Sequence, residues 1–121
     1  MEFDNGLPIY QQIIDRLKAQ ILSGSPASGE RLESVRDLSL RLGVSVNTLQ
    51  KALAVLEQEG LLHTEGTNGR YVTRDGERLV RLKEDTLTAE LNRFLNKMRA
   101  MGFTDSEIAR ALPKTEAKEN Q

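Results

Sequence analysis

Residues 34–60 read SVRDLSLRLGVSVNTLQKALAVLEQEG, and the spacing of their apolar side chains decides the fold. Ser34-Val35-Arg36-Asp37 has the spacing of a capping box, so a helix is predicted to begin there. Val35, Leu38 and Leu42 then point one way until Gly43, where the chain must turn. Ser45 is the next candidate N-cap. From Val46 to Glu59, Leu49, Ala52, Leu53 and Leu56 form one stripe that stops at Gly60. The leading end of this second helix leaves Val46, Asn47, Gln50 and Lys51 off the stripe.

Upstream, Leu7-Pro8 opens another helical pattern, with Pro8 at the first helical position, where its missing N–H costs nothing. Ile9, Ile13, Leu17 and Ile21 recur every fourth residue, with Tyr10 and Ile14 beside them, and Gly24 ends the run. Ser25 to Arg31, containing Pro26 and Gly29, reads as a connecting loop. Downstream, Leu61-Leu62-His63-Thr64 and Arg70-Tyr71-Val72-Thr73 are two short strands. They flank Glu65-Gly66-Thr67-Asn68-Gly69, whose glycines and Asn68 suit a hairpin loop needing positive φ. Three helices and a hairpin make a winged helix.

Beyond Asp75-Gly76 a long helix-favouring stretch places Leu87, Leu91, Phe94, Leu95, Met98 and Met101 on a common face before Gly102. Thr104-Asp105-Ser106-Glu107 is a further capping box, opening a short helix that is expected to bury Ile108 and Leu112 before Pro113. The predicted class is therefore mainly α with a small β-hairpin, a winged helix-turn-helix followed by two C-terminal helices. The expected division is a winged helix over 1–76, a helical region over 77–112 and a polar, flexible tail over 113–121.

Composition narrows the chemistry. The 121 residues contain no cysteine, which excludes disulfide scaffolds, thiolate metal sites and cysteine nucleophiles and fits a reducing, cytoplasmic compartment. Apolar runs fall far short of the ~20 residues that span a bilayer, and the start of the chain carries Glu2 and Asp4 where a leader would be basic. His63 is the one histidine, so a transition-metal site has no second ligand of its kind. Glu57/Glu59 and Glu84/Asp85 lack a neighbouring nucleophile or phosphate loop and read as solvated charge, and Met98 and Met101 read as interface filler. No enzyme, cofactor or metal is indicated. Charge cuts against nucleic acid at first sight: 17 Lys+Arg stand against 18 Asp+Glu, and residues 1–76 hold eight basic and ten acidic side chains. A case for DNA must therefore rest on local arrangement.

That arrangement exists. A helix reads base edges when its N-terminal end enters a major groove about 12 Å wide while a second helix braces it across the backbone. Residues 34–42, the Gly43-Val44-Ser45 turn and residues 46–59 have the lengths for this. On spacing alone, the pair suits equally well three helices packed round one core. In the DNA reading, Ser45, Asn47, Thr48 and Gln50 offer hydroxyls and amides to bases or phosphates, Arg36 and Lys51 suit phosphates, and Arg70 adds a contact from the wing.

From Leu7 to Val72 the chain resembles the GntR family of bacterial regulators, through PIYQQI, SVRDL, LGVS-x-NT, LEQEGLL and GRYV. The resemblance implies a recognition helix starting near Ser45, a contact from Arg36, and wing residues Gly66, Thr67, Asn68 and Gly69 near the minor groove. Ser45, Asn47, Thr48 and Arg36 match the family pattern. Where the family usually has proline, arginine and often arginine, this chain has Glu33, Val46 and Gln50, and its wing lacks the usual basic residues. Either modest affinity or an unusual operator preference is expected, with Val46 meeting a thymine methyl. The short remainder resembles the YtrA subgroup, whose two C-terminal helices dimerise. Dimerisation through Leu87, Leu91, Phe94, Leu95, Met98, Met101, Ile108 and Leu112 follows, the alternative being that this face packs back on the first helix. The expected function is a sequence-specific transcriptional regulator, a repressor on a palindromic operator in double-stranded DNA. The alternative is a winged-helix protein-interaction module. A small-molecule effector is not legible in the sequence; about 36 residues form two helices but do not enclose a metabolite pocket alone.

Overall fold

A computed structural model describes residues 6–113; the polar segment beyond Pro113 and the acidic start lie outside them. The order is α1 (Ile9–Ser23), α2 (Val35–Leu42), α3 (Val46–Gln58), β1 (Leu62–Thr64), β2 (Arg70–Val72), α4 (Gly76–Ala100) and α5 (Asp105–Ala111). The chain divides into two compact units, Met1–Lys83 and Glu84–Gln121, with the division inside α4.

In the first unit, each helix begins and ends where its local chemistry dictates. Pro8 is the N-cap of α1, one residue earlier than its expected place inside the helix, because its extended ψ of 142° leaves only its carbonyl to start the ladder. Gly24, at φ 86°, closes α1: its N–H reaches Ile21 O and the next N–H, of Ser25, reaches Gln20 O. Ser34 Oγ accepts from Asp37 N at the start of α2, and Ser45 Oγ accepts from Thr48 N at the start of α3, both at 3.1 Å. Between them Gly43, at φ 70°, turns the chain.

The hairpin pairs Leu62 with Val72, His63 with Tyr71 and Thr64 with Arg70. Gly66 and Gly69 take the positive φ of its loop, whereas Asn68 does not, because two glycines already supply the reversal. A third, minimal strand was not anticipated: Arg31 bridges Tyr71 in antiparallel fashion, with Leu32 N donating to Arg70 O and Val72 N to Glu30 O. The end of the expected loop is thus the sheet's other edge.

The core gathers Ile13, Ile14, Leu17 and Ile21 of α1, Leu38 and Leu42 of α2, and the whole predicted stripe of α3, closed by Leu32, Leu61, Leu62 and Val72. Leu79 and Leu82, on the first turns of α4, pack against it. Ile9, expected on the α1 stripe, is half exposed at the helix's open end.

The second unit is a helical pair. No residue of α4 is buried along 25 residues. Gly102 turns the chain at φ 95°, and Thr104 and Glu107 form the reciprocal capping box expected for α5. Ile108 is buried, but Leu112 is 60% exposed, because α5 ends at Ala111 and its extended C-cap carries Leu112 off the apolar face.

Candidate nucleic-acid interface

The leading turns of α3 stand open. Val46, Asn47 and Gln50 are exposed, and Leu49, between them, is fully buried and fixes the rotation of the helix. The Ser45 and Thr48 hydroxyls are engaged with each other at 2.9 Å as part of the cap. Asn47 carries an amide with no intramolecular partner among the described residues, so this end of the helix presents one free paired donor and acceptor beside an apolar Val46. That is the equipment for an adenine edge and a thymine methyl.

The wing is strapped to this helix. Arg70 Nη2 donates to Gln50 Oε1 at 3.0 Å, and its Nε lies 3.4 Å from Glu57 Oε2 as an ion pair without hydrogen-bond alignment. Thr64 Oγ1 also donates to Glu57 Oε2. Gln50 and Arg70, both expected as DNA contacts, therefore hold each other in the free chain. Lys51 lies over the Tyr10 ring, 4.1 Å from its centre, which ties α3 to α1. The loop tip, Gly66-Thr67-Asn68, is exposed and uncharged.

Several carboxylates of this unit are paired within it. Glu33, in the family's proline position, receives two bonds from Arg41, at 2.9 and 2.5 Å, and this pairing holds the Arg41 guanidinium protonated beyond its ordinary range. Glu59 meets Lys18 at 3.1 Å. Glu65 meets His63 Nε2 at 2.6 Å and lies 3.7 Å from Arg74, and the His63 ring stacks on Tyr71. Arg36, in the first turn of α2, is exposed and has no ion-pair partner among the described residues. Arg31 is likewise exposed and unpaired; sequence reasoning assigned it to a loop, and the one signal that would have raised it was its place next to Leu32, alternating with a core residue. No three side chains of the metal-ligating types converge among the described residues. Among the same residues, no helix is long and apolar enough to cross a membrane.

Comparison with known proteins decides what this geometry belongs to. The family model described as bacterial regulatory proteins, gntR family, matches residues 9–72, from the start of α1 to the end of the wing. The chain belongs to the GntR family. A GntR family transcriptional regulator from Listeria monocytogenes superposes with a TM-score of 0.86 at 32% identity, over 94% of this chain and 100% of that one. Among curated relatives, the HTH-type regulator YhcF of Bacillus subtilis is 27% identical over 107 residues, 88% of each chain. The HTH-type repressor YtrA of Bacillus subtilis is 38% identical over 68 residues, 56% of this chain and 52% of that protein. This GntR protein is a winged-helix, DNA-binding transcriptional regulator of the YtrA type.

The second unit of the regulator carries the other set of predicted residues. Leu87, Leu91, Phe94 and Met101 are exposed; Leu95 and Met98 are half-buried. Phe94, Met98, Ile108 and Leu112 line an open groove of about 330 Å³ with Phe103, Glu107 and Ala111. Phe103 was missed because it lies in the turn between α4 and α5, outside either helical period. Arg99 clasps Asp105 through two bonds, at 2.8 and 3.1 Å, which holds the Asp105 carboxyl below the usual aspartate range and the Arg99 guanidinium above its own.

Proposed function

We propose that this regulator is a homodimeric repressor that occupies a palindromic operator in the cytoplasm. The carrying observation is the open front of α3, with Asn47 unpartnered and Val46 exposed beside it. Asn47 is the principal base reader, Val46 fills against a thymine methyl, and Arg36 takes a phosphate from the bracing helix. The wing residues Gly66, Thr67, Asn68 and Gly69 lie along the minor groove. Gln50, Lys51 and Arg70 contribute after exchanging an internal partner for DNA.

Dimerisation rests on the second unit. The exposed apolar residues of α4 and the groove beside α5 leave Leu87, Leu91, Phe94 and Met101 in need of cover, and a second copy supplies a matching face by two-fold symmetry. Two recognition helices then address half-sites one DNA turn, roughly 34–36 Å, or a multiple of it apart. Repression follows the name of the YtrA relative.

The uncharged wing tip favours one competing reading, a winged helix that binds a protein partner in place of DNA. Selection from a random-sequence duplex library separates the two. The purified chain is expected to enrich an inverted repeat, and Asn47→Ala is expected to lower affinity for it by at least about tenfold, a base contact being worth roughly 1–3 kcal/mol. Equal retention of every duplex, unchanged by Asn47→Ala, refutes the operator reading in favour of the interaction module.

A further inference from the structure

We propose that Arg31 is a DNA-backbone contact, supplying from a separate strand the cation that the wing's own tip lacks. The proposal rests on the DNA-binding reading above and adds a residue to it. Arg31 enters the sheet through its bridge to Tyr71, locked on either side by Val72 N to Glu30 O at 2.9 Å and Leu32 N to Arg70 O at 2.8 Å. Successive side chains of a strand point to opposite faces, and Leu32 is buried in the core, so Arg31 is committed to the outer face.

There its side chain lies along the last residue of the wing loop. A Cβ at Gly69 would stand 3.1 Å from Arg31 Nε, 3.5 Å from Nη2 and 3.8 Å from Cζ. Gly69 also has φ 111°, so it is glycine for the turn and for the seat of the guanidinium. The side chain is therefore held beside the wing, yet it has no ion pair among the described residues. Its neighbours differ: Arg70 is engaged by Gln50 and Glu57, Arg41 by Glu33, and Arg74 lies near Glu65. A positioned guanidinium whose donors are unused suits an oxyanion with two coplanar oxygens, and a phosphate diester provides that pair. Arg31 stands at the root of the wing, behind Gly66-Thr67-Asn68, which places it where the sugar-phosphate backbone passes once the tip approaches a groove.

The test uses the full chain and two probes, a duplex enriched by the wild type from a random library and an unselected duplex of equal length, with affinity followed from about 50 to 200 mM salt. Arg31→Ala is expected to weaken both duplexes by the same factor, roughly tenfold at low salt, the worth of one charge-assisted bond. It should also flatten the slope of log affinity against log salt by about 0.9, the value for one phosphate contact. Arg31→Lys should restore most of that slope, because it keeps the charge while losing the fork. An unchanged affinity and slope in Arg31→Ala, where Arg36→Ala is weakened, overturns this inference alone. A loss confined to the selected duplex with an unchanged slope also overturns it, since that is the mark of base reading or of a strut. A wild type that enriches no duplex overturns it together with the DNA-binding reading.

Discussion

The two units of this regulator differ in how they dispose of their apolar side chains. Fourteen residues of the first form a buried cluster, whereas among the described residues of the second only Ile108 is buried. The first unit satisfies itself: capped helices, a hairpin and a short bridging strand close round α3, and several of its carboxylates face a cation of the same unit. The second leaves Leu87, Leu91, Phe94 and Met101 of its helical pair exposed, with Ile108 of α5 beside Phe94 and Met98 in the groove. A helix of this kind is held in a lone chain by propensity and by neighbours such as Glu90 and Arg93, 2.5 Å apart, which contribute little each. Stability in the first unit is intramolecular, and in the second it is expected to depend on concentration.

The largest expected effect breaks the comparison at its second member. Leu91→Glu combined with Phe94→Glu puts two charges on the open face of α4 while replacing no buried residue. Sedimentation is expected to find a monomer, and operator affinity should fall by roughly 10²–10⁴, the advantage of linking two half-site contacts. The thermal transition of the first unit should stay in place. A dimer that survives both charges would show that this face is not the interface.

Next in size is a substitution in the first member. Leu53 is 1% exposed within the α3 stripe, and Leu53→Ala removes atoms that close packing cannot replace. A loss of about 2–5 kcal/mol is expected in denaturant unfolding, with dimerisation unaffected wherever the protein remains folded. Leu87→Ala on the exposed face of α4 should cost far less at concentrations where the chain is monomeric. Equal costs for the two would erase the distinction between the units.

A third prediction concerns whether Arg70 is a strap or a DNA contact. Replacing Glu57 by Gln leaves a neutral oxygen in place of the partner on which Arg70 Nε and Thr64 Oγ1 converge. If the wing must be strapped to α3 to bind, Glu57→Gln should weaken DNA binding by several-fold, within the roughly 1–3 kcal/mol expected of a charged hydrogen-bonding network. If Arg70 is instead withheld from DNA by Glu57, the same change should tighten binding and steepen its salt dependence. Parallel measurements on Arg70→Ala give the reference, since both readings require a loss there.

How much of this was legible in the sequence follows from the range over which each signal acts. The caps at Ser34, Ser45 and Thr104, the stripe of α3 and the glycine turns depend on residues within about four positions, and all three caps formed. The bridge at Arg31 was not legible: it is a single residue pair forty positions apart, too short to leave a period-two pattern. Nor was the engagement of Gln50 by Arg70, which joins positions twenty apart and depends on the hairpin register. The sequence made both residues look free because composition records which groups are present and not which are already paired. For the same reason the net charge is silent on the site: Glu33, Glu59 and Glu65 each face a cation or histidine in the fold, whereas Arg31 and Arg36 have no ion pair among the described residues.

The smallest expected effect lies within the second unit, where Arg99 holds Asp105 at the mouth of α5. A carboxyl whose folded pKa is depressed adds stability that is complete above its unfolded pKa and is lost as pH falls through the folded one. Asp105 is depressed, first by the hydrogen bond from Arg99 and then by its charge. The clasp should therefore act unchanged at neutral pH and fade only in acid, below the ordinary aspartate range. Arg99→Gln removes the cation but leaves Asp105 in the first turn of α5, where a negative charge still favours the helix. The melting temperatures of wild type and Arg99→Gln are expected to differ by a small, constant amount from neutral pH down to the ordinary aspartate range and to converge below it. Because the pair is fully exposed, added salt should shrink the gap at neutral pH as well. A gap that persists in acid, or that widens with salt, would mean that Arg99 acts through packing of its stem against α5 and not through the charge on Asp105.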